Sequence, residues 1–103
     1  MIDRRVVTLL AVMAAVGGSA LAAGDPAPGR SKSSVCTSCH GPDGMSPTDE
    51  WPNLAGQGYA YLVKQLKAFR EGNRRDPLME DNAKTLSDQD IEDLAAFYST
   101  QKP

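Results

Sequence analysis

Cys36-Thr37-Ser38-Cys39-His40 is the stretch on which the rest of the chain turns. It has the pattern C-x-x-C-H, the attachment signature of a covalently bound c-type haem. The spacing has a chemical reason. Two thiols add across the two vinyl groups of one porphyrin, and two intervening residues let one tight turn present both sulfurs to one edge of the ring. The imidazole after the second cysteine is then held under the iron, where one ring nitrogen becomes the proximal ligand. Rival readings account for less. A zinc site takes about four N, S or O ligands, and this chain has two cysteines and one histidine in all. A thioredoxin-type C-x-x-C needs a βαβ setting, for which the sequence carries no strand pattern. A structural disulfide leaves the adjacent histidine unexplained.

Working outward, the 103 residues allow one domain at most. Its first part reads as an export signal. Arg4 and Arg5 form a positive start, Val6 to Val16 is apolar apart from Thr8, and Ala20-Leu21-Ala22 fits an A-x-A cleavage site. Cleavage after Ala22 leaves residues 23–103 as the working domain. The competing reading is a retained membrane anchor, but the strictly apolar part is short for a bilayer span of about 20 residues. A domain of this size buries a small core and usually needs a staple; a haem tied on at three points would be one. The formal net charge is −2. Loss of Asp3, Arg4 and Arg5 with the leader makes the remainder more acidic still. Nucleic-acid binding, which calls for a basic face, gains no support.

Past the leader, Gly24 to Gly29 holds Asp25, Pro26 and Pro28 and reads as a flexible lead-in. A short helix is expected from Arg30 to Val35, with Gly29 at its start; a glycine there could simply end the loop, or its missing side chain could let another helix cross closely. Gly41-Pro42-Asp43-Gly44 is a turn leading away from His40. Trp51 and Leu54 are the apolar residues of the following loop and read as core filling. Tyr59, Leu62, Val63, Leu66, Phe69 and Arg70 share one helical face, so Tyr59 to Glu71 is an amphipathic helix stopped by Gly72. Tyr61 falls off that face. Asn73 to Leu86 is expected to be irregular because Pro77 interrupts it. The last helix opens at Ser87, an N-cap with Asp90 three residues on and a Leu86–Ile91 staple. Ile91, Leu94, Ala95 and Tyr98 make its apolar stripe, widened by Phe97. No alternating strand pattern occurs, and the chain is all-α.

An iron with one histidine takes a sixth ligand, and no second histidine exists. A thioether is the next common choice. Met1 and Met13 leave with the leader, so Met45 and Met79 remain. Met45 is five residues beyond His40, on backbone pinned to the proximal side. Met79 lies far along the chain and can arrive from the opposite face. It is the preferred axial ligand; the plain alternative is a methionine that only fills the core.

Together these residues resemble the class I c-type cytochromes, in particular one domain of the small bacterial di-haem cytochromes c. The likeness covers essentially all of residues 24–103. It rests on Cys36-x-x-Cys39-His40 with Gly41-Pro42-Asp43-Gly44, on Pro52-x-Leu54-Ala55-Gly56-Gln57, on Tyr61-Leu62-x-Lys64-Gln65-Leu66, on Arg74 through Met79, and on Leu86-Ser87-Asp88-x-Asp90-Ile91. It implies a small fold of three main helices wrapped around one haem, attached through Cys36 and Cys39. It also implies that the proline carbonyl accepting from the proximal imidazole is that of Pro52, that Met79 is the axial ligand, and that the terminal helices cross near Gly29 with Phe97 or Tyr98 beside it. Haem attachment outside the bacterial inner membrane follows from the same likeness and agrees with an export signal. The sequence departs from the di-haem pattern in having a single C-x-x-C-H, and Trp51 stands where phenylalanine is more usual.

The function implied is one-electron transfer in the periplasm by a monomer with redox protein partners, membrane respiratory complexes among the candidate donors and acceptors. No small-molecule substrate is implied, because no histidine is left for acid–base work and no nucleophile–base pair can be named. Two rival functions remain: a haem enzyme or gas sensor with an open sixth site, and a subunit tethered to a membrane complex. Lys64, Lys67, Arg70, Arg74 and Arg75 form a basic group and Asp88 to Asp93 an acidic one. Either could be a docking face or simply a solvated one.

Overall fold

The computed structural model describes residues 24–103. The expected leader, its cleavage point after Ala22 and both leader methionines lie outside the described residues. Among the described residues there are helices and no strands, as the all-α reading requires. They are α1 (Pro26–Lys32), continued by a 3₁₀ turn (Ser33–Val35), then α2 (Thr37–His40), α3 (Tyr59–Glu71), α4 (Pro77–Ala83) and α5 (Asp88–Ser99). No helix among them is long and apolar enough to cross a membrane.

Two of these helices begin earlier than, or where, the sequence reading placed loops. The Asp25 carboxylate accepts from the Ala27 N–H at 3.1 Å, and Pro26 occupies the first helical position. The lead-in through Gly29 is therefore corrected: α1 already runs from Pro26, and Gly29 lies in its middle. The same device recurs downstream. Asp76 accepts from Leu78 N–H at 3.0 Å and Met79 N–H at 3.2 Å, with Pro77 at the start of α4. The expected irregular stretch from Asn73 to Leu86 thus contains a helix, and Met79 sits in its first turn. In both places proline was taken as a breaker. At the first helical position it loses no hydrogen bond, and its fixed φ is already helical.

α3 ends at Gly72, whose φ of 81° is left-handed. α5 opens with the reciprocal box: the Ser87 hydroxyl accepts from Asp90 N–H and the Asp90 carboxylate from Ser87 N–H, each at 3.0 Å. Ile91 and every residue from Asp93 to Tyr98 are buried. A helix buried all round needs cover on several sides. α1 and α3 both pack on α5, and α4 packs on α3. The core cluster is Leu62, Leu94, Ala95, Phe97 and Tyr98. Leu54 joins its edge, but Trp51 does not. Trp51 is half-buried and lines an open groove with Pro47 and Pro52, so its reading as core is corrected. Its loop lies outside the packed helices.

The α1–α5 crossing is backbone against backbone. A Cβ on Gly29 would lie 2.0 Å from the Asp93 carbonyl oxygen and 2.8 Å from the Phe97 Cβ. Beside it, the Asp93 side chain, only 4% exposed, takes three donors. These are the Lys32 ammonium at 2.7 Å, the Asp25 N–H at 2.8 Å and the Gln89 amide at 2.9 Å. Lys32 also reaches Asp90 at 2.9 Å. The acidic run Asp88 to Asp93 is thus largely an internal fastening rather than a free face. The three arginines of the basic group are similarly occupied: Arg70 reaches Asp88 and the Leu86 carbonyl, Arg74 lies 4.6 Å over the Phe69 ring, and Arg75 pairs with Glu80.

Lys32 chiefly, and then the Asp25 amide, hold the Asp93 carboxyl below its usual range. A carboxylate depressed on folding adds stability above its unfolded value of about 3.9, and that contribution fades as the pH falls through the folded value. Asp93→Asn should therefore lower stability at neutral pH by about 2 kcal/mol, the scale of hydrogen bonds to a charged group. The gap between variant and parent should close below about pH 4. Denaturant melts at pH 7 and pH 3 check this.

Candidate haem site

The cysteine–histidine turn is helical, and this brings the three residues together. Cys36 caps α2; the His40 N–H bonds the Cys36 carbonyl at 2.9 Å and the Gly41 N–H that of Thr37 at 2.9 Å. Positions i, i+3 and i+4 lie on one helical face, so Cys36, Cys39 and His40 share a side while Thr37 and Ser38 point elsewhere. Both cysteines are free and half-buried, and His40 is 6% exposed.

The loop from Gly41 to Gly58 fastens the imidazole. Gly44 carbonyl accepts from Leu54 N–H at 2.7 Å and Ala55 N–H at 3.1 Å, closing the loop on itself. The Ser46 hydroxyl donates to the Cys39 carbonyl at 3.1 Å and its N–H to Asn53 at 2.6 Å. The loop thereby brings the Pro52 carbonyl to 2.8 Å from His40 Nδ1. A carbonyl oxygen can only accept, so Nδ1 carries a proton, and in the neutral ring Nε2 is then the nitrogen with the lone pair. An oriented neutral imidazole with a free Nε2 is the form that ligates a metal.

Burial pushes the Cys36 thiol up, and the neighbouring Tyr98 hydroxyl only partly opposes this. A thiol held protonated is a poor nucleophile, which argues against Cys36 as an activated catalytic thiol. Of the two candidate sixth ligands, Met45 is exposed and follows the α2 turn closely, whereas Met79 is half-buried in the first turn of α4, its N–H held by Asp76. The sequence reading missed two functional-looking residues, Asp93 and Tyr98. Neither carried a local signal: Asp93 closes the acidic run Asp88 to Asp93 and looks like its neighbours, and nothing nearby in the chain marks the Tyr98 hydroxyl as isolated.

The protein tests its own fit to a haem. Cys36, Leu54, Tyr59, Val63, Leu66 and Leu86 pack against the core yet stay half-buried. Large apolar side chains left partly open beside two thiols and an oriented imidazole fit a flat, apolar, covalently attached group. Among the described residues no cluster of three or more His, Cys, Asp or Glu could hold a metal ion directly.

Comparison with known proteins agrees. The family model described as Cytochrome c matches residues 27–102. A cytochrome c4 of Pseudomonas aeruginosa is 48% identical over 85 residues, covering 82% of this chain and 42% of that protein. A cytochrome c-554(548) of Halomonas halodenitrificans is 46% identical over 83 residues, 78% of this chain and 100% of that protein. The crystal structure of reduced recombinant cytochrome c4 from Pseudomonas stutzeri shares the fold with a TM-score of 0.75 at 45% identity, covering 78% of this chain and 47% of that one. The chain spans about half the length of the cytochrome c4 relatives it matches. The class I likeness drawn from the motifs stands. Sequence match over most of the chain and a common fold at this level of identity agree, and this chain belongs to the cytochrome c family.

Proposed function

We propose that residues 23–103 form a one-electron carrier of the bacterial periplasm, holding one haem c through Cys36 and Cys39 with His40 and Met79 as axial ligands, and that residues 1–22 are the export signal that takes it there. The observation that carries this is the 2.8 Å bond from His40 Nδ1 to the Pro52 carbonyl, which leaves Nε2 free on the face that carries both thiols. Each thiol would add S–H across one vinyl C=C, forming one C–S and one C–H bond with no net redox change and nothing released. Bound there, the haem supplies a one-electron Fe(III)/Fe(II) couple.

The chain's own residues do the rest. Pro52 holds the His40 proton on Nδ1 and fixes the ring plane, and that second bond tunes the basicity of Nε2. Met79 would be the second ligand to hold the haem; a thioether in that role would raise the potential relative to harder ligands and would leave no opening for a substrate. The half-buried rim of Leu54, Val63, Leu66 and Leu86 would keep water from the haem. The bound haem would supply the couple that takes one electron from a reduced protein donor and gives it to an oxidised protein acceptor, with no bond of the polypeptide made or broken. Membrane respiratory complexes are candidate partners on either side, and the carrier works as a monomer.

Optical spectra of the purified protein, reduced and oxidised, test the whole reading. A low-spin c-type spectrum with a near-infrared sulfur-to-iron band in the oxidised form is expected. Met79→Ala should abolish that band, turn the spectrum high-spin and lower the potential, while haem stays attached. The band surviving in Met79→Ala would move the sixth ligand to Met45. A high-spin spectrum and tight CO binding in the unmodified protein would point instead to a haem enzyme or sensor.

A further inference from the structure

Tyr98 carries a hydroxyl that the protein leaves alone. The residue is 3% exposed, and its Oη is the buried side-chain polar atom among the described residues without a hydrogen-bond partner. Native structures rarely keep such a group without a use for it. Nor can the ring swing out to water. It lies tilted against Phe97 with centroids 4.9 Å apart, and the Tyr98 carbonyl is held by the Gly56 N–H at 3.0 Å.

Two side chains come near enough to influence this hydroxyl without bonding it, the Cys36 thiol and the Ser33 hydroxyl. Ser33 has a settled place: it is buried, and its Oγ donates to the Arg30 carbonyl at 2.7 Å, yet Tyr98 is still unpaired. Cys36 differs, because attachment changes both its chemistry and its side-chain torsion. A thiol is a weak donor as well as a weak acceptor, whereas a thioether has lost its S–H and only accepts. Cys36 already packs on the cluster that contains Tyr98.

The geometry points to Tyr98 as a positioning residue of the attachment site, its hydroxyl donating a hydrogen bond to the Cys36 sulfur once that sulfur is a thioether. This rests on the haem reading proposed above. Burial foremost, and Cys36 after it, raise the Tyr98 phenol well beyond its usual range, so it remains a donor at any working pH. The bond would fix the Cys36 side chain against α5. It would also draw electron density from the sulfur, which favours the reduced iron.

Resonance Raman spectra of the holoprotein in H₂O and D₂O, with midpoint potentials, test the inference. In the unmodified protein the thioether C–S stretching band should shift on deuteration. Tyr98→Phe, with haem still attached, should lose that shift and show a lower potential, whereas Ser33→Ala should keep both properties. A band insensitive to D₂O in the unmodified protein, or one that shifts equally in Tyr98→Phe, overturns the inference and leaves the haem reading in place. Loss of the shift in Ser33→Ala also overturns it, by making Ser33 rather than Tyr98 the donor to the Cys36 sulfur. Haem that extracts into acidified organic solvent has no thioether and overturns both. Should Tyr98→Phe fail to fold, the solvent shift of the unmodified protein and of Ser33→Ala still decides.

Discussion

The Cys36→Ala/Cys39→Ala double variant is expected to lose both its haem and its fold, giving a far-ultraviolet circular dichroism spectrum with little helix and no cooperative melt. The reason lies in how little the helices bury among themselves. The large side chains that are fully buried are Phe97, Ile91 and Leu94, with Leu62, Phe69 and Tyr98 close behind. Leu54, Tyr59, Val63, Leu66 and Leu86 are left half-covered. Each large apolar side chain fully buried is worth about 1.5–3 kcal/mol, and the ordering of every backbone residue opposes this by about 1–2 kcal/mol. Among the described residues only α3 and α5 exceed two turns, and isolated helices as short as the others are marginal in water. α1 and α4, at seven residues each, depend wholly on what they pack against. A fully helical double variant that melts cooperatively would show that the polypeptide core suffices and that the half-buried rim has another explanation.

Gly29→Ala should destabilise the holoprotein by about 3 kcal/mol, the upper end of ordinary overpacking. The added methyl would meet the Asp93 carbonyl at 2.0 Å. That obstacle is backbone, so no side chain can turn away; α1 and α5 must move apart. Separation also lengthens the two bonds that Asp93 receives from the α1 side, from the Asp25 N–H and the Lys32 ammonium. The damage should therefore couple to the charge at Asp93. In a double-mutant cycle, Gly29→Ala and Asp93→Asn should cost less together than the sum of the two. Denaturant titration of the four proteins measures this; strict additivity would mean the crossing and the carboxylate act independently. Haem attachment and the optical spectrum should survive Gly29→Ala, since Gly29 contributes nothing to the ligand set.

Much of this arrangement is local and was readable from the chain. The C-x-x-C-H turn needs only a helical step to place its three groups on one side. The Ser87–Asp90 box and the Gly72 stop are written in neighbouring residues, as is the apolar face of α3. The two helix starts at Asp25-Pro26 and Asp76-Pro77 were equally local, and they were misread because proline was weighed as an interruption rather than as a first helical residue. Met79 was consequently expected in a loop, although its backbone is pinned by Asp76 in a helical turn.

What stayed hidden is long-range. Asp93 looked like one more acid in a solvated run. Its burial follows from α1 crossing α5 at Gly29, a contact between residues more than sixty positions apart, which no local pattern encodes. Trp51 looked like core because it is large and apolar, but its loop closes through Gly44, Leu54 and Ala55 and leaves the indole at a groove. The Tyr98 hydroxyl is isolated only because Phe97, the Gly56 backbone and the neighbouring helices close around it. The chemistry of the attachment turn and the helical class of the chain were thus settled by residue types at short spacing, since thiols, imidazole and caps act within one or two turns. The tertiary structure alone decided which proton His40 carries, through a carbonyl twelve residues away, and which polar groups face the core. Such distances are bridged by packing rather than by the chain's local geometry.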